Sequence, residues 1–421
     1  MRLLFCGSDE FSVKVLQSII KLPFLKIDVL GPNNKILTEK NAKSVFIPSI
    51  VKYCQNNNIP IQQDINFFKN DIKNKKYNAL VAVSFNKFIS GNLLKNFNFN
   101  FNLHPSLLPY YKGSSPIQRS LINNEKYIGV TIQDIDCDKF DNGNIYMQTK
   151  PLLISNLIDK DYKLEKIEYV YDRDKENSLQ LDLNHKEYRF SKINEPNSKK
   201  FNHKYDLLRN SLAMISADMM KEFFSKQIYN CTTTKNNDFI QHLHFNQPLF
   251  AKKLNDASFQ LNWAKDDINK ILNKISISDD CCYSYIKEHY TKNDMKLWRP
   301  RKVFIKNAEE YTGESRFKAN EDLGTFKFSN NILIVKCLDN KILKINYVKP
   351  EGIKEFIKSN EFVMKKYKKL YKHQNFKFNT IKDIKRYYEQ NLSSLYKDKT
   401  IESIIYKQKK NNSSNTEILD I

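Results

Sequence analysis

The chain is predicted to be an α/β protein: a Rossmann-like, doubly wound, mostly parallel sheet, followed by a C-terminal OB-like β-barrel. Three observations lead there. The N-terminal third alternates short apolar runs with amphipathic stretches. Residues 295–350 form a train of short alternating segments separated by turn residues. The 421 residues, 41% of them hydrophobic, suffice for two or three domains with real cores.

Taken in order, "RLLFC" reads as a strand ended by Gly7-Ser8-Asp9, with Ser8 or Asp9 capping the helix that follows. Phe11, Val15, Leu16, Ile19 and Ile20 fall on one face of that helix. "LKIDVL" is the next strand, "SIVKYCQNNN" a helix and "YNALVAVS" a β-prone core strand. "ISGNLLKNF" is a short helix, "FNFNLH" a strand ending at His104, and "IGVTIQDID" another strand. Gly7 stands where a dinucleotide site would carry GxGxxG, but "GSDEFS" lacks the later glycines, so a pyrophosphate there is not expected.

Residues 156–203 are dense in mixed charge and read as a surface insertion, with a strand pair drawn from "KIEYVY" and "EYRF". A packing helix follows at about 205–226. The polar stretch "NCTTTKNND" begins a linker, so the first domain is placed at 1–230 and the linker at 231–249. In the barrel, placed at 250–362, "FQLNWAKDDINKILNKI" is a helix. "MKLWRPRKVFIKN", "GTFKFSNN", "ILIVKCLDNK" and "ILKINYVKP" are strands, with turns at Asn330-Asn331 and Asp339-Asn340. Residues 363–421 form a basic extension containing Lys365, Lys366, Lys368, Lys369 and Lys372. A solvated helical face and a phosphate contact are both open readings there.

The net charge is +22, from 69 Lys+Arg against 47 Asp+Glu. Such a balance attracts polyanions, nucleic acid first and an anionic membrane surface second. Seven cysteines without a CxxC read as free thiols in a reducing compartment. His242 and His244 alternate but have no nearby thiol or carboxylate, so no metal is expected. No apolar run approaches the roughly 20 residues of a membrane span. The N-terminal residues also read as neither signal peptide nor presequence.

The chemistry concentrates in "NFNLHPSLLPYYKGSSPIQRS", residues 100–120. Asn102 and His104 alternate on a strand, so both side chains point to one face, at the end where open α/β sheets bind ligands. An amide and an imidazole side by side suit a developing oxyanion. Downstream, "DIDCDKFDNGNI" offers Asp134, Asp136, Asp138 and Asp141. Asp141 precedes Asn142-Gly143, a turn able to project a carboxylate inward. No serine or cysteine is poised as a nucleophile, so direct transfer between two bound substrates fits better than a covalent intermediate.

Asn-x-His, Ser-Leu-Leu-Pro, Gly-Val-Thr-Ile and Asp-x-Gly together resemble the 10-formyltetrahydrofolate-dependent formyltransferases. "SLLPYYKGSSPIQRSL" and "LLFCGSDEFS" are similar to the branch acting on methionyl-tRNA, and so are "FAKKLNDASFQLNW" and the closing strands of the barrel. The resemblance covers about 1–155 and 204–365. It implies formyl transfer from 10-formyltetrahydrofolate, a co-substrate, to the α-amino group of initiator methionyl-tRNA.

By the same resemblance, Asn102, His104 and Asp141 are catalytic, with Asp138 the competing carboxylate because "KFDNG" carries an extra residue. Ser106, Leu107, Leu108 and Pro109 line the folate site, with Phe85, Asn86 and Ile89 against the pterin. The family's usual Tyr-Gly is Phe85-Asn86 here. Lys35, Lys40 and Lys43, in the loop after the second strand, and Lys252 and Lys253 face tRNA. No metal and no membrane are implied. A monomer in the mitochondrial matrix is expected, since initiator formylation belongs to bacterial-type translation. The rivals are a formyltransferase acting on glycinamide ribonucleotide or an amino sugar, a non-catalytic RNA-binding relative, and a hydrolase of the same folate.

Overall fold

The computed structural model describes residues 1–39, 42–85, 87–159, 166–171, 178–182, 204–235, 250–278, 280–292, 295–314, 317–329, 332–361, 376–379, 387 and 418–419. The chain divides into two compact units, Met1–Lys253 with Thr416–Ile421, and Leu254–Asn415.

The first unit is built on a nine-stranded sheet. Its strands are β1 (Arg2–Gly7), β2 (Lys26–Leu30), β5 (Ile61–Gln62), β6 (Ala79–Val83), β8 (Phe99–His104), β10 (Thr131–Asp134), β11 (Ile145–Thr149), β13 (Lys166–Val170) and β14 (Ser178–Asp182). Outside it lie the hairpin β3 (Lys35–Glu39) and β4 (Ala42–Phe46), and the short strands β7 (Phe88–Ile89), β9 (Tyr127–Ile128) and β12 (Leu152–Leu153). The order across the sheet is β14-β13-β11-β10-β8-β6-β1-β2-β5. The strands β5, β2, β1, β6 and β8 run parallel, and β10 onward pair antiparallel. Parallel strands covered on both faces need uninterrupted apolar side chains, and "ALVAV" of β6 is buried at every position.

Helix Glu10–Ile19 is capped by Asp9, whose side chain accepts from the Ser12 N–H at 3.1 Å. It packs against helix Lys204–Ser225, joined by an Arg209–Asp9 ion pair at 3.0 Å and by Ser18 Oγ donating to the Ala217 carbonyl at 2.7 Å. Leu208, Leu212, Ile215, Met219 and Phe223 of the long helix are wholly buried.

The 156–203 segment is not simply a surface insertion. "KIEYV" becomes β13 and extends the main sheet, because Ile167 and Tyr169 alternate inward and are 1% and 0% exposed. Its partner is β14, "SLQLD". The "EYRF" stretch expected in that role lies outside the described residues.

The second unit holds β15 (Tyr283–Lys292), β16 (Met295–Glu310), β17 (Thr325–Ser329), β18 (Ile332–Lys336), β19 (Ile342–Pro350), β20 (Ile357–Lys358) and β21 (Phe376–Asn379). All pair antiparallel in the order β16-β15-β21-β17-β18-β19-β20. The long β16 pairs β15 through one stretch and β19 through another, so the strands run round to where they began. Trp263, Ile271, Val303, Ile305, Val335 and Ile345 fill the interior. Helix Ile268–Ile277 is capped by Asp267. The turn at Asp339-Asn340 is present, with both residues at φ +57°. The turn expected at Asn330-Asn331 lies outside the described residues, as do Lys365, Lys366, Lys368, Lys369 and Lys372.

Part of the basic extension belongs to the sheet. Strand β21 inserts between β15 and β17. Its Phe378 is 2% exposed and stacks on Trp263 with ring centroids 5.2 Å apart. Further on, β22 (Ile418–Leu419) pairs parallel with β7 of the first unit's own body. The first unit also reaches past the expected boundary at 230. Phe250 bridges Lys112, and Ser115 N–H donates to the Ala251 carbonyl at 3.0 Å.

Candidate active site

Register places the chemistry. Strand β8 carries Asn102 and His104, and β10 lies beside it with Gln133 opposite Asn102 and Thr131 opposite His104. On the other edge of β10, pairing with β11 slips between Ile132 and Gln133. Such a bulge re-aims side chains locally. The β10–β11 connection then brings Asp141 back over the end of β8, with its backbone at φ +50°, a conformation aspartate tolerates better than most residues.

One oxygen collects the site. Asn102 Nδ2 donates to Asp141 Oδ1 at 3.0 Å, and Gln133 Nε2 donates to the same oxygen at 3.1 Å. His104 Nδ1 lies 3.6 Å from it, with the two side chains only 7% and 9% exposed. The other carboxylate oxygen accepts the Gly113 N–H at 2.7 Å. Gly113 has φ +117°, and a Cβ there would lie 2.8 Å from the Ala251 carbonyl oxygen, so glycine is needed on both counts.

The imidazole is held from its far side. His104 Nε2 lies 2.8 Å from the Tyr111 carbonyl. A carbonyl only accepts, so Nε2 carries the hydrogen, and Nδ1 is the atom turned toward Asp141. Tyr111 sits at φ +60°, 2% exposed, its hydroxyl bonded to Glu125 and Asn123. Residues 111–113 therefore grip both the imidazole and the carboxylate.

A cavity of about 210 Å³ opens beside Asp141, lined by Leu108, Pro109, Lys112, Gln133, Ile145 and Lys235 among others. Asn102 and His104 are not in its lining; they reach Oδ1 of Asp141, a residue that is. Lys112 Nζ donates to Asn142 Oδ1 at 2.7 Å, and Lys235 Nζ to the Asn142 carbonyl at 2.8 Å. Burial holds the Lys112 ammonium below the usual lysine value, against the pull of Asp141. Burial likewise raises Asp134, whose carboxylate is spent on Asn144.

The other anticipated residues are placed as follows. Asp138, the competing carboxylate, is exposed, and its own N–H donates to Asp136 at 2.8 Å. Leu108 and Pro109 reach the cavity. Ser106 and Leu107 do not line it: the Ser106 hydroxyl donates to the Tyr110 carbonyl at 2.7 Å, and Leu107 packs over Gly129. Ile89 is buried, with Phe85 packed on the same apolar cluster. Asn86 and Lys40 lie outside the described residues, as does the Lys43 side chain. Lys35 is exposed on the β3–β4 hairpin. Lys252 and Lys253 are exposed too, and their carbonyls accept from Arg119 at 3.0 and 3.4 Å.

Four participants are not singled out by the sequence: Gln133, the Tyr111 carbonyl, Lys112 and Lys235. For Gln133 the signal was present, since a lone amide between Ile132 and Ile135 in a core strand needs a buried partner.

Residues 32–168 match the family model described as "Formyl transferase". The mitochondrial methionyl-tRNA formyltransferase of Saccharomyces cerevisiae is 26% identical over 286 residues, 68% of this chain and 63% of that one. The methionyl-tRNA formyltransferase of Lactobacillus acidophilus is 32% identical over 151 residues, 34% of this chain and 47% of that one. The chain thus spans less than two thirds of either relative's length. Among solved structures, the sugar 3N-formyl transferase WlaRD aligns with TM-score 0.45 at 19% identity, covering 84% of this chain and 98% of that one.

Proposed function

We propose that this chain, which carries a formyl transferase domain over residues 32–168, transfers the formyl group of 10-formyltetrahydrofolate to the α-amino group of initiator methionyl-tRNA. The observation that carries the reading is the convergence of Asn102, His104 and Gln133 on a single Asp141 oxygen at the end of β8. Donors already aimed at one negatively charged oxygen need little rearrangement to hold a second.

The folate supplies an activated formyl group and the nitrogen that leaves. Leu108 and Pro109 at the cavity offer apolar walls suited to a flat ring, and we assign Ile89 and Phe85, which share one apolar cluster, to the pterin. The amine lone pair bonds to the formyl carbon while the carbonyl pair moves onto oxygen. Asn102 Nδ2, and His104 when it carries a proton on Nδ1 as well as on Nε2, take that oxygen in place of Asp141 Oδ1, with Tyr111 keeping Nε2–H engaged. Asp141, relieved of those donors, accepts the amine's proton. The oxygen pair then returns, the bond from carbon to the folate nitrogen breaks with its electrons going to nitrogen, and the proton follows. The products are a formamide and tetrahydrofolate.

For tRNA, we read the second unit as an OB-like barrel and the β3–β4 hairpin as the element that meets the acceptor stem, through Lys35, Lys40 and Lys43. Ile36 and Val45, paired across the hairpin, are 70% and 62% exposed and give it an apolar flank. Lys252 and Lys253 face the phosphate backbone. The yeast relative supports placement in mitochondria, and we take the working form as a monomer.

The deciding assay is formyl transfer to charged initiator tRNA and, separately, to glycinamide ribonucleotide. Transfer to the tRNA is expected, and His104→Ala should slow it by about a hundredfold or more. Formylation of the ribonucleotide alone would overturn the reading. Replacing both Lys252 and Lys253 by Gln should weaken tRNA binding and flatten its log–log salt dependence by roughly 0.7–0.9 per lost phosphate contact. An unchanged slope would remove these lysines from the interface.

A further inference from the structure

The Gln133 side chain is not exhausted by its bond to Asp141. The residue is 1% exposed, yet it lines the cavity. Its Nε2 donates to Asp141 Oδ1 at 3.1 Å, while Oε1 is buried and, among the described residues, has no hydrogen-bond partner. The amide cannot turn over, because a carboxylate accepts only and must face the N–H end. Its oxygen, on the same carbon as the nitrogen that meets Asp141, is therefore held close to that contact as an acceptor awaiting a donor. Leaving such a group unmet in a folded interior is costly, so it calls for a partner.

The chemistry around the cavity says which donor fits. Lys112 and Lys235 stand at its wall, both tied to Asn142. Two ammonium groups disfavour a third and favour an incoming amine in its neutral form. A neutral primary amine carries two N–H bonds and one lone pair. Asp141 and Gln133 present two neighbouring acceptors, a carboxylate oxygen and an amide oxygen.

We propose that Gln133 is a substrate-recognition residue: its Oε1 accepts one N–H of the attacking α-amino group, Asp141 accepts the other, and the lone pair is left pointing at the formyl carbon. The pair reads the acceptor as a primary amine. This rests on the formyl-transfer reading above and extends it to the nitrogen's recognition.

The test is equilibrium binding to the full-length protein, without the folate donor. Two ligands are compared: methionyl-tRNA, and the same tRNA charged with the desamino analogue, in which hydrogen replaces the α-amino group. The wild-type protein should bind the amino form more tightly. In Gln133→Met, similar in length but without the amide, that preference should shrink by about tenfold, more than any change in affinity for the folate donor.

Equal wild-type affinity for the two charged tRNAs would overturn the proposal without any variant, which covers the case in which Gln133→Met fails to fold. A preference unchanged in Gln133→Met would also overturn it, as would a loss falling on folate binding instead, since Oε1 would then face the donor. Failure of the functional reading looks different: the wild-type protein would not formylate methionyl-tRNA at all.

Discussion

Asp141→Asn is expected to lower formyl transfer by ~10²–10⁴-fold while leaving the chain folded. The carboxylate takes Asn102, Gln133 and the Gly113 N–H, and lies beside His104 Nδ1. An amide in its place keeps the shape but offers one acceptor oxygen instead of two and sets its own N–H₂ against donors. It also has no basicity with which to take the amine's proton. Hydrogen bonds to a charged group contribute about 1.5–3 kcal/mol each, so a modest loss of stability should accompany the loss of rate. Single-turnover transfer with a thermal melt separates the two effects. Asp138→Asn is the control: it alters an exposed carboxylate and should leave the rate near wild type. If Asp138→Asn were the slow variant, the carboxylate assignment would be wrong.

The second large effect is structural. A Cβ at Gly143 would lie 1.9 Å from the Asp134 carbonyl oxygen and 2.1 Å from Asp134 Oδ1. The first of these is backbone, and Asp134 is anchored there by its N–H donating to the Asn144 carbonyl at 2.8 Å. The connection must therefore open to admit a methyl group. Gly143→Ala should cost about 1–3 kcal/mol, as overpacked interiors do. It should also depress turnover beyond what stability explains, because Asp141 is two residues upstream on the same connection. Denaturant unfolding gives the first quantity and kcat on the folded fraction the second. Wild-type stability in this variant would mean that the turn is not held closed by Asp134.

Much of this site could be read from residue order alone, for a physical reason. The two-residue period of a strand puts Asn102 and His104 on one face whatever the strand pairs with. Asp141 before Asn-Gly likewise announces its own turn. Contacts set by register could not be read. Gln133 meets Asp141 only because β10 lies antiparallel to β8 with Gln133 opposite Asn102, and nothing local specifies that alignment. The Tyr111 carbonyl was hidden for a similar reason, since backbone groups have no letter in a sequence.

In the fold, the core strands declared themselves by uninterrupted apolar runs. "KIEYV" reads as a strand from its letters, but its pairing with "SLQLD" does not, because several polar-alternating stretches compete there. "FKFN" was overlooked because lysine-rich neighbours masked a two-phenylalanine alternation. "YSYIKEHYTK", which became β15, reads as mostly polar until its pairing with β16 is known.

The position of β21 bears on how the protein is made. Every strand from Tyr283 to Lys358 can leave the ribosome while the place between β15 and β17 stands empty, because the residues that fill it, Phe376–Asn379, emerge later. Until then Trp263 lacks its stacking partner, and two strand margins present unmatched amide and carbonyl groups, which invite pairing between chains. Biogenesis is thus most exposed to aggregation late in translation, and a fusion or truncation that removes residues 376–379 would hold the nascent domain in that vulnerable condition.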